Sequence, residues 1–293
     1  MNIPMQWNIP LISRKFIMLM ALYCSNGLYA ADWSDTSLIW SYGTNFSEPF
    51  KNNANGDAVD IEKHILSIVH NSAYKYGSNF VQVNLHQSND EPNGIAASDK
   101  GAQEAYVIFR HTLDYGKIMA KPVDYPKFIR GYGLTFGFDW NTKNDDYGSN
   151  REMLVVGPSI QFDVPGYLNF NILANFESNR PKVIPNKYSY DPYLALQLLW
   201  GIPVKETGLE FNGVLTWMDS KGKNEFGVDT KAETFLDIAL MYDIGAALGG
   251  SKQKFKLGAA YQYWDNKYGN NHHGAAGKGA TASVPMIRAA YNF

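Results

Sequence analysis

Cysteine is almost missing from this 293-residue chain: Cys24 stands alone, so no intramolecular disulfide can form. Long apolar runs are missing too. The run from Phe16 to Tyr23 falls well short of the ~20 residues that a spanning helix needs, and no later stretch reaches that length, which excludes a helical membrane protein. A basic surplus is also lacking. The 26 Lys and Arg face 28 Asp and Glu, whereas a nucleic-acid binder carries a basic stripe or patch, so no nucleic-acid partner is expected. No phosphate-binding glycine loop, zinc-ligand spacing or nucleophile elbow occurs, which leaves soluble-enzyme chemistry without a foothold and calls for no cofactor.

The start of the chain has the layout of an export leader. Arg14 and Lys15 precede the apolar run, and small residues close it near Ala30 and Ala31. Residues 1–30 are therefore expected to form a cleavable signal peptide and 31–293 the mature domain. Cys24 leaves with the leader, and the bulky Tyr23 before it does not suit a lipoprotein anchor. Taking away Arg14 and Lys15 leaves 24 basic residues against 28 acidic, a net charge of −4.

What the chain does have is aromatic residues, at 14%, and 26 glycines. Aromatics favour strands and scattered Gly, Asn and Asp supply turns, which points to an all-β protein. Alternation at period two runs through segments of about ten residues, the signature of a barrel strand. In one, Tyr132, Leu134, Phe136, Phe138 and Trp140 alternate with Gly131, Gly133, Thr135, Gly137 and Asp139. Leu168, Phe170, Ile172, Ala174 and Phe176 oppose Asn169, Asn171, Asn175 and Glu177, with Leu173 as an exception. Strands are expected near 37–46, 59–70, 79–88, 103–113, 129–140, 152–163, 168–177, 190–201, 207–218, 232–243, 254–265 and 283–293. Connections after odd strands are mostly long and those after even strands short, so loops and turns gather at opposite ends; the long 114–128 connection breaks this rule. The expectation is a transmembrane antiparallel β-barrel of about 12 strands, surrounded by the lipids of a Gram-negative outer membrane. Its closing residues, Ile287, Ala289, Tyr291 and Phe293, share one face and resemble the C-terminal sorting signal read by the barrel assembly machinery.

Ionisable groups are costly against lipid, so those on strands are assigned to the lumen. The candidate lumen-lining residues are Gln82, Asn84, Glu104, Tyr106, Arg110, Asp139, Asn171, Glu210, Asp237 and Arg288. Glu152, Asp163, Glu177 and Lys256 are assigned to the same face, and Arg110 is read as a group that holds Glu104 in place. By the same alternation, arginine at Phe136 is expected to be costly, and arginine at Gly137 to alter mainly conduction. Two histidine segments need an alternative reading. His86-Gln-Ser-Asn89 resembles the His-x-Ser-Asn segment of outer-membrane phospholipase A and contains a possible nucleophile and base, but Val81, Val83 and Leu85 take the lipid face, which turns His86 and Ser88 inward. Asp90 also replaces the glycine that follows that enzyme's motif. His272-His273 has no carboxylate or cysteine at ligand spacing, so a loop is expected there and no metal.

The segment His70-Asn-Ser-Ala-Tyr-Lys-Tyr-Gly-Ser-Asn-Phe-Val-Gln-Val83 resembles the nucleoside-specific channel-forming porins, the Tsx-like and OmpK-type family. Ala105 to Leu113, Asp191-Pro-Tyr193 through Trp200-Gly-Ile-Pro203, and Tyr291-Asn-Phe293 are similar to family segments as well. Val69 stands where the family has an acidic residue, and its glutamate-rich strand is kept only in part, in Glu104. The resemblance implies a monomeric twelve-stranded barrel that passes nucleosides by facilitated diffusion without a cofactor. Two alternatives remain open from the residues alone: an outer-membrane phospholipase-like enzyme, and a channel for acidic oligosaccharides.

Overall fold

A computed structural model describes residues 31–89, 101–120 and 123–293; the expected leader, 1–30, lies outside the described residues. The strands are β1 (Trp33–Phe46), β2 (Ile61–Tyr74), β3 (Gly77–Ser88), β4 (Gln103–Asp114), β5 (Ile129–Lys143), β6 (Asn150–Phe162) and β7 (Tyr167–Asn179). They continue with the two-residue β8 (Tyr188–Ser189), then β9 (Tyr193–Val204), β10 (Leu209–Met218), β11 (Glu233–Asp243), β12 (Phe255–Asp265) and β13 (Ala282–Asn292). Each strand pairs antiparallel with its sequence neighbour, β8 stitches only onto the end of β7, and β1 pairs with β13. Twelve strands, all but β8, thus close into a barrel, and each coincides with an expected segment to within a few residues.

The ladders show why alternation identified these strands. Trp40, Leu66, Leu85 and Ala105 lie side by side across β1 to β4 on the outer face, while Ile39, Ser67, Asn84, Tyr106, Asn141 and Arg151 form an inner row across β1 to β6. The outer face carries Leu134, Phe136, Leu154, Val156, Ile172, Phe176, Leu194, Phe211, Leu215, Leu240, Leu257 and Ile287, all exposed. An apolar belt of that extent calls for lipid as its solvent. No helix among the described residues is long and apolar enough to cross a membrane.

Tight turns, such as the two residues between β2 and β3, gather at one end of the barrel. Gly166 serves one of them with φ +79, and a Cβ there would lie 2.0 Å from the Gly201 carbonyl oxygen, so no other residue fits without moving the backbone. The irregular 114–128 connection has a local cause. Asp114 caps a helical turn, α1 (Tyr115–Met119), by accepting from the Lys117 N–H at 2.9 Å, and Asp243 caps α2 (Ile244–Ala247) in the same way. An aspartate N-cap followed by a short helix lengthens a turn without making it a loop.

Three expectations are corrected. Glu152 faces out: it pairs with Trp140 and shares the phase of Leu154 and Val156, at the rim where the strand meets water, and its carboxylate binds Lys187 at 2.5 Å. The interior is only partly polar. Met153, Val155, Leu173, Tyr193 and Ala195 form one inner apolar cluster, which accounts for the exceptional Leu173, and Phe46, Ile61, Ile65, Val284 and Met286 belong to another. Gly137 does face in, but a Cβ there would stand 1.9 Å from the Phe109 carbonyl oxygen, so the position accepts no side chain, whatever its charge.

Phe136→Arg is expected to cost ~2–4 kcal/mol of folding stability from the lipid face, while Gln82→Arg, which keeps its charge inside, folds close to wild type. Gly137→Ala is expected to destabilise as well. Urea titration with heat-modifiable gel mobility checks all three; equal stability of Phe136→Arg and Gln82→Arg would put the facing wrong by one residue.

Candidate functional site

The inner wall is the part of this molecule able to handle a solute, because outer-face side chains meet lipid. All ten candidate lumen residues lie on it. Gln82 and Asn84 occur two apart on β3 and bond to each other at 2.8 Å. Tyr106 and Arg110 converge on Asp139 of β5: the tyrosine hydroxyl donates to Oδ2 at 2.8 Å and the guanidinium to Oδ1 at 2.5 Å. Arg110 therefore holds Asp139 rather than Glu104, since Glu104 lies three inner rows away along β4 and accepts from the Asn141 amide. Across the barrel, Arg288 grips Asp237 with both terminal nitrogens, at 2.9 and 3.0 Å, and Ser41 with Nε. Glu210 binds Lys256 at 2.6 Å towards the short-turn end. Asn171 donates to Gln197, which donates to Thr216.

Two of these groups extend into larger ionic networks, separate from each other, and the rest remain local pairs or short chains. The first runs from Arg110 through Asp139 and Tyr106 to Arg151, whose guanidinium also meets Glu177 at 2.9 Å. Glu177 additionally accepts from Tyr193 at 2.5 Å and from Lys221 at 2.9 Å. The second joins Asp237, Arg288, Gln262 and Ser41. Beside it stands an aromatic group: Phe235 and Trp264 meet edge to face at 4.9 Å, Trp264 and Tyr268 at 5.1 Å, and the indole N–H donates to Glu233 at 2.5 Å.

At the long-loop end a third set of charges lies over the opening. Glu48, from the β1–β2 connection, is completely buried, and its Oε1 lies 2.6 Å from Lys63, 3.1 Å from Lys267 and 3.5 Å from Lys143. Burial pushes its carboxyl up, but Lys143, Lys267 and Lys63 together outweigh that and hold it well below the usual carboxylate range. Lys267 shifts against the direction expected of an ion pair, being pulled down to about 8. Burial is the main cause, and the nearby Lys63 and Lys143 ammonium groups add to it against the pull of Glu48, while Lys143 also pairs with Asp145 at 3.1 Å. Burial likewise raises the Tyr147 and Tyr190 hydroxyls, both bonded to Glu225.

Sequence reasoning missed Lys63, Lys143, Arg151, Tyr193 and Glu48. Lys143 and Arg151 continue the inner phase of Asp139 and Met153, but lie just past the expected ends of β5 and β6, so longer strands would have found them. Glu48 lies in a loop, where no periodicity speaks. His86 and Ser88 do point inward, and Ser88 Oγ accepts from the Ala102 N–H at 2.9 Å. His272 meets Asp265, seven positions upstream, at 2.8 Å, a carboxylate that motif spacing did not reveal. No group of three metal-ligating side chains occurs among the described residues.

The fold and the inner wall define a class: a closed, antiparallel, twelve-stranded β-barrel with a lipid-type exterior and a partly ionic interior. No protein-family model and no curated protein matches the sequence. Among solved structures, the chain is similar to the KdgM porin, with 8% identity, 88% of this chain and 99% of that one covered, and a TM-score of 0.43. It is also similar to the outer membrane protein opdK from Pseudomonas aeruginosa, at 7% identity, with coverages of 90% and 99% and a TM-score of 0.37. The translocator domain of the autotransporter NalP from Neisseria meningitidis shows 10% identity, coverages of 96% and 97% and a TM-score of 0.40. The strand number and the closure of the barrel are read from its own ladders.

Glu177→Gln is expected to lose ~3–5 kcal/mol, because it strands two buried cations, Arg151 and Lys221. Glu152→Gln, which breaks the half-exposed pair with Lys187, is expected to change stability by ~0–1 kcal/mol. Denaturant titrations of the two variants compare them, and similar losses would show that the inner network is solvated.

Proposed function

We propose that this chain is a monomeric outer-membrane channel for facilitated diffusion of nucleosides or similar small polar solutes, and not an enzyme. The observation that carries the reading is the aromatic group Phe235, Trp264 and Tyr268 standing beside Glu233, Asp237 and Gln262 on one stretch of inner wall. Bases stack on such rings while ribose hydroxyls bond to the neighbouring carboxylates and amides, and several weak contacts let a solute leave as readily as it enters. The likeness of residues 70–83 to the nucleoside-specific channel family supports the same solute class. The inward facing of His86 and Ser88 speaks against a phospholipase, whose catalytic pair must reach lipid.

A channel for acidic oligosaccharides is the second reading, favoured by Arg110, Arg151 and Arg288 on the inner wall. Each already holds a carboxylate, which leaves less positive charge for a solute; because Arg288 holds Asp237, the nucleoside reading rests on the rings and Gln262 more than on free carboxylates.

Protein reconstituted in liposomes is expected to pass adenosine or thymidine faster than a neutral or acidic sugar of similar size. Trp264→Ala, which removes a stacking surface of ~1–3 kcal/mol per base, should narrow the nucleoside-to-sugar ratio measured per folded molecule, since the change also takes a donor from buried Glu233. Equal flux of nucleosides and sugars through the wild type would reduce the chain to a general porin, faster flux of acidic sugars would favour the second reading, and phospholipid hydrolysis lost in Ser88→Ala would favour the enzyme.

Phe293 fits the role of a signal to the barrel assembly machinery: its ring is exposed, and its backbone N–H donates to the Thr36 carbonyl at 2.9 Å. Its removal is expected to lower the yield of folded protein in cells more than refolding from urea into detergent. Equal losses in both assays would make Phe293 a packing residue only.

A further inference from the structure

The β1–β2 and β12–β13 connections are stitched to each other. Ser47 Oγ donates to the Thr281 carbonyl at 2.6 Å, the Phe50 N–H and the Asn52 amide to the Ala276 carbonyl at 2.9 and 3.0 Å, and the Gly279 N–H to Asn52 Oδ1 at 2.9 Å. Lys267 adds a bond to the Ser47 carbonyl at 2.8 Å, and Lys278 a rim ion pair with Asp57 at 2.7 Å. Both connections rise from adjacent strands, because β1 and β13 are paired, and beyond Gly43 the β1 ladder loses its regular register. The two loops therefore form one unit rooted on one side of the mouth.

From that root the unit reaches across the opening. Glu48 meets Lys143 at the end of β5, four strands around the wall from β1, an arc of roughly 19 Å at ~4.8 Å per strand. It also meets Lys63 on β2. The carboxylate thus ties the loop unit to the wall across a third of the twelve-strand ring, from the β1 root to β5, and closes that arc of the mouth. Its completely buried Oε2 finds no hydrogen-bond donor among the described residues, so the grip is ionic and passes through Oε1. Within that grip, Lys267 travels with the unit, whereas Lys63 and Lys143 belong to the wall.

We propose that the paired loops are a charge-latched lid over the long-loop mouth, and that Glu48, seated between Lys63 and Lys143 of the wall, is the latch that restricts passage. This rests on the channel reading, because a lid matters only if the barrel conducts. Withdrawing the carboxylate loosens the lid from β5, where Lys143 keeps its pair with Asp145 at 3.1 Å, and leaves Lys63 to take a small anion in its place.

Single-channel current in planar bilayers tests the latch with Glu48→Gln, which keeps the shape and removes the charge, and with Lys143→Met, which alters the wall and leaves the lid intact. Both are expected to raise mean conductance about twofold or more, while Lys278→Met, at the exposed Asp57 pair, leaves it at the wild-type level. In Glu48→Ala, millimolar inorganic phosphate should reduce the current, an effect absent from the wild type. Trypsin cleavage at Lys51 of the folded protein, faster in the Glu48 and Lys143 variants, reports lid release independently of current. Wild-type conductance and cleavage in both latch variants would overturn the latch and leave the channel standing. Folded protein that carries neither current nor solute in any variant would overturn the channel reading, and the latch with it.

Discussion

In a hydrocarbon solvent every backbone N–H and C=O needs a partner from the chain itself, and a sheet meets that demand only by closing on itself. The β1–β13 ladder is the closure here, joining residues near the two ends of the described chain, Ser37 to Asn292 and Gly43 to Met286. With it, all twelve staves have two neighbours and no edge is left. From closure follow the alternation of faces, the outward apolar belt, and an interior whose width is set by strand number. It also explains inward glycines such as Gly137, where coiled strands approach more closely than a Cβ allows.

Charges held in the interior need partners, and they find them on the next strand or the one beyond it. Arg110 with Asp139, Arg151 with Glu177, and Arg288 with Asp237 each join different strands. Burying such pairs gains little net stability, because desolvation offsets the attraction, but losing one member leaves a stranded charge. The pairs therefore act as constraints on side-chain position, holding Tyr106 and Tyr193 by their hydroxyls. The apolar clusters fill the remaining interior, so only part of the wall is left to meet a solute.

All twelve staves were legible in the sequence, because lipid on one side and lumen on the other impose period two on every strand. Facing was legible wherever the alternation was long, as from Tyr132 to Trp140. It failed for Glu152, where a charge was assumed to avoid lipid although the strand had already risen to the rim. Partners were harder to read. Alternation says that Arg110 points inward, but its choice of Asp139 over Glu104 depends on strand register, which a single sequence does not carry. Glu48 gave no signal, since its role comes from a loop fold that brings it to Lys267, 219 positions away.

These two kinds of contact divide the molecule into parts of different stiffness. Neighbouring staves are tied by continuous ladders, and moving one past another would expose backbone groups that lipid cannot satisfy. The wall is therefore the stiff part of the molecule. At the mouth the constraints are few and long-range: two loops bonded mainly to each other, one carboxylate, and two lysines of the wall. Glu48 and its lysine partners are withdrawn from water, so opening breaks one buried ionic cluster, whereas moving a stave breaks a whole ladder. A barrel rigid by necessity can change its permeability at low cost only where its loops cross the opening, and in this chain that place is Glu48.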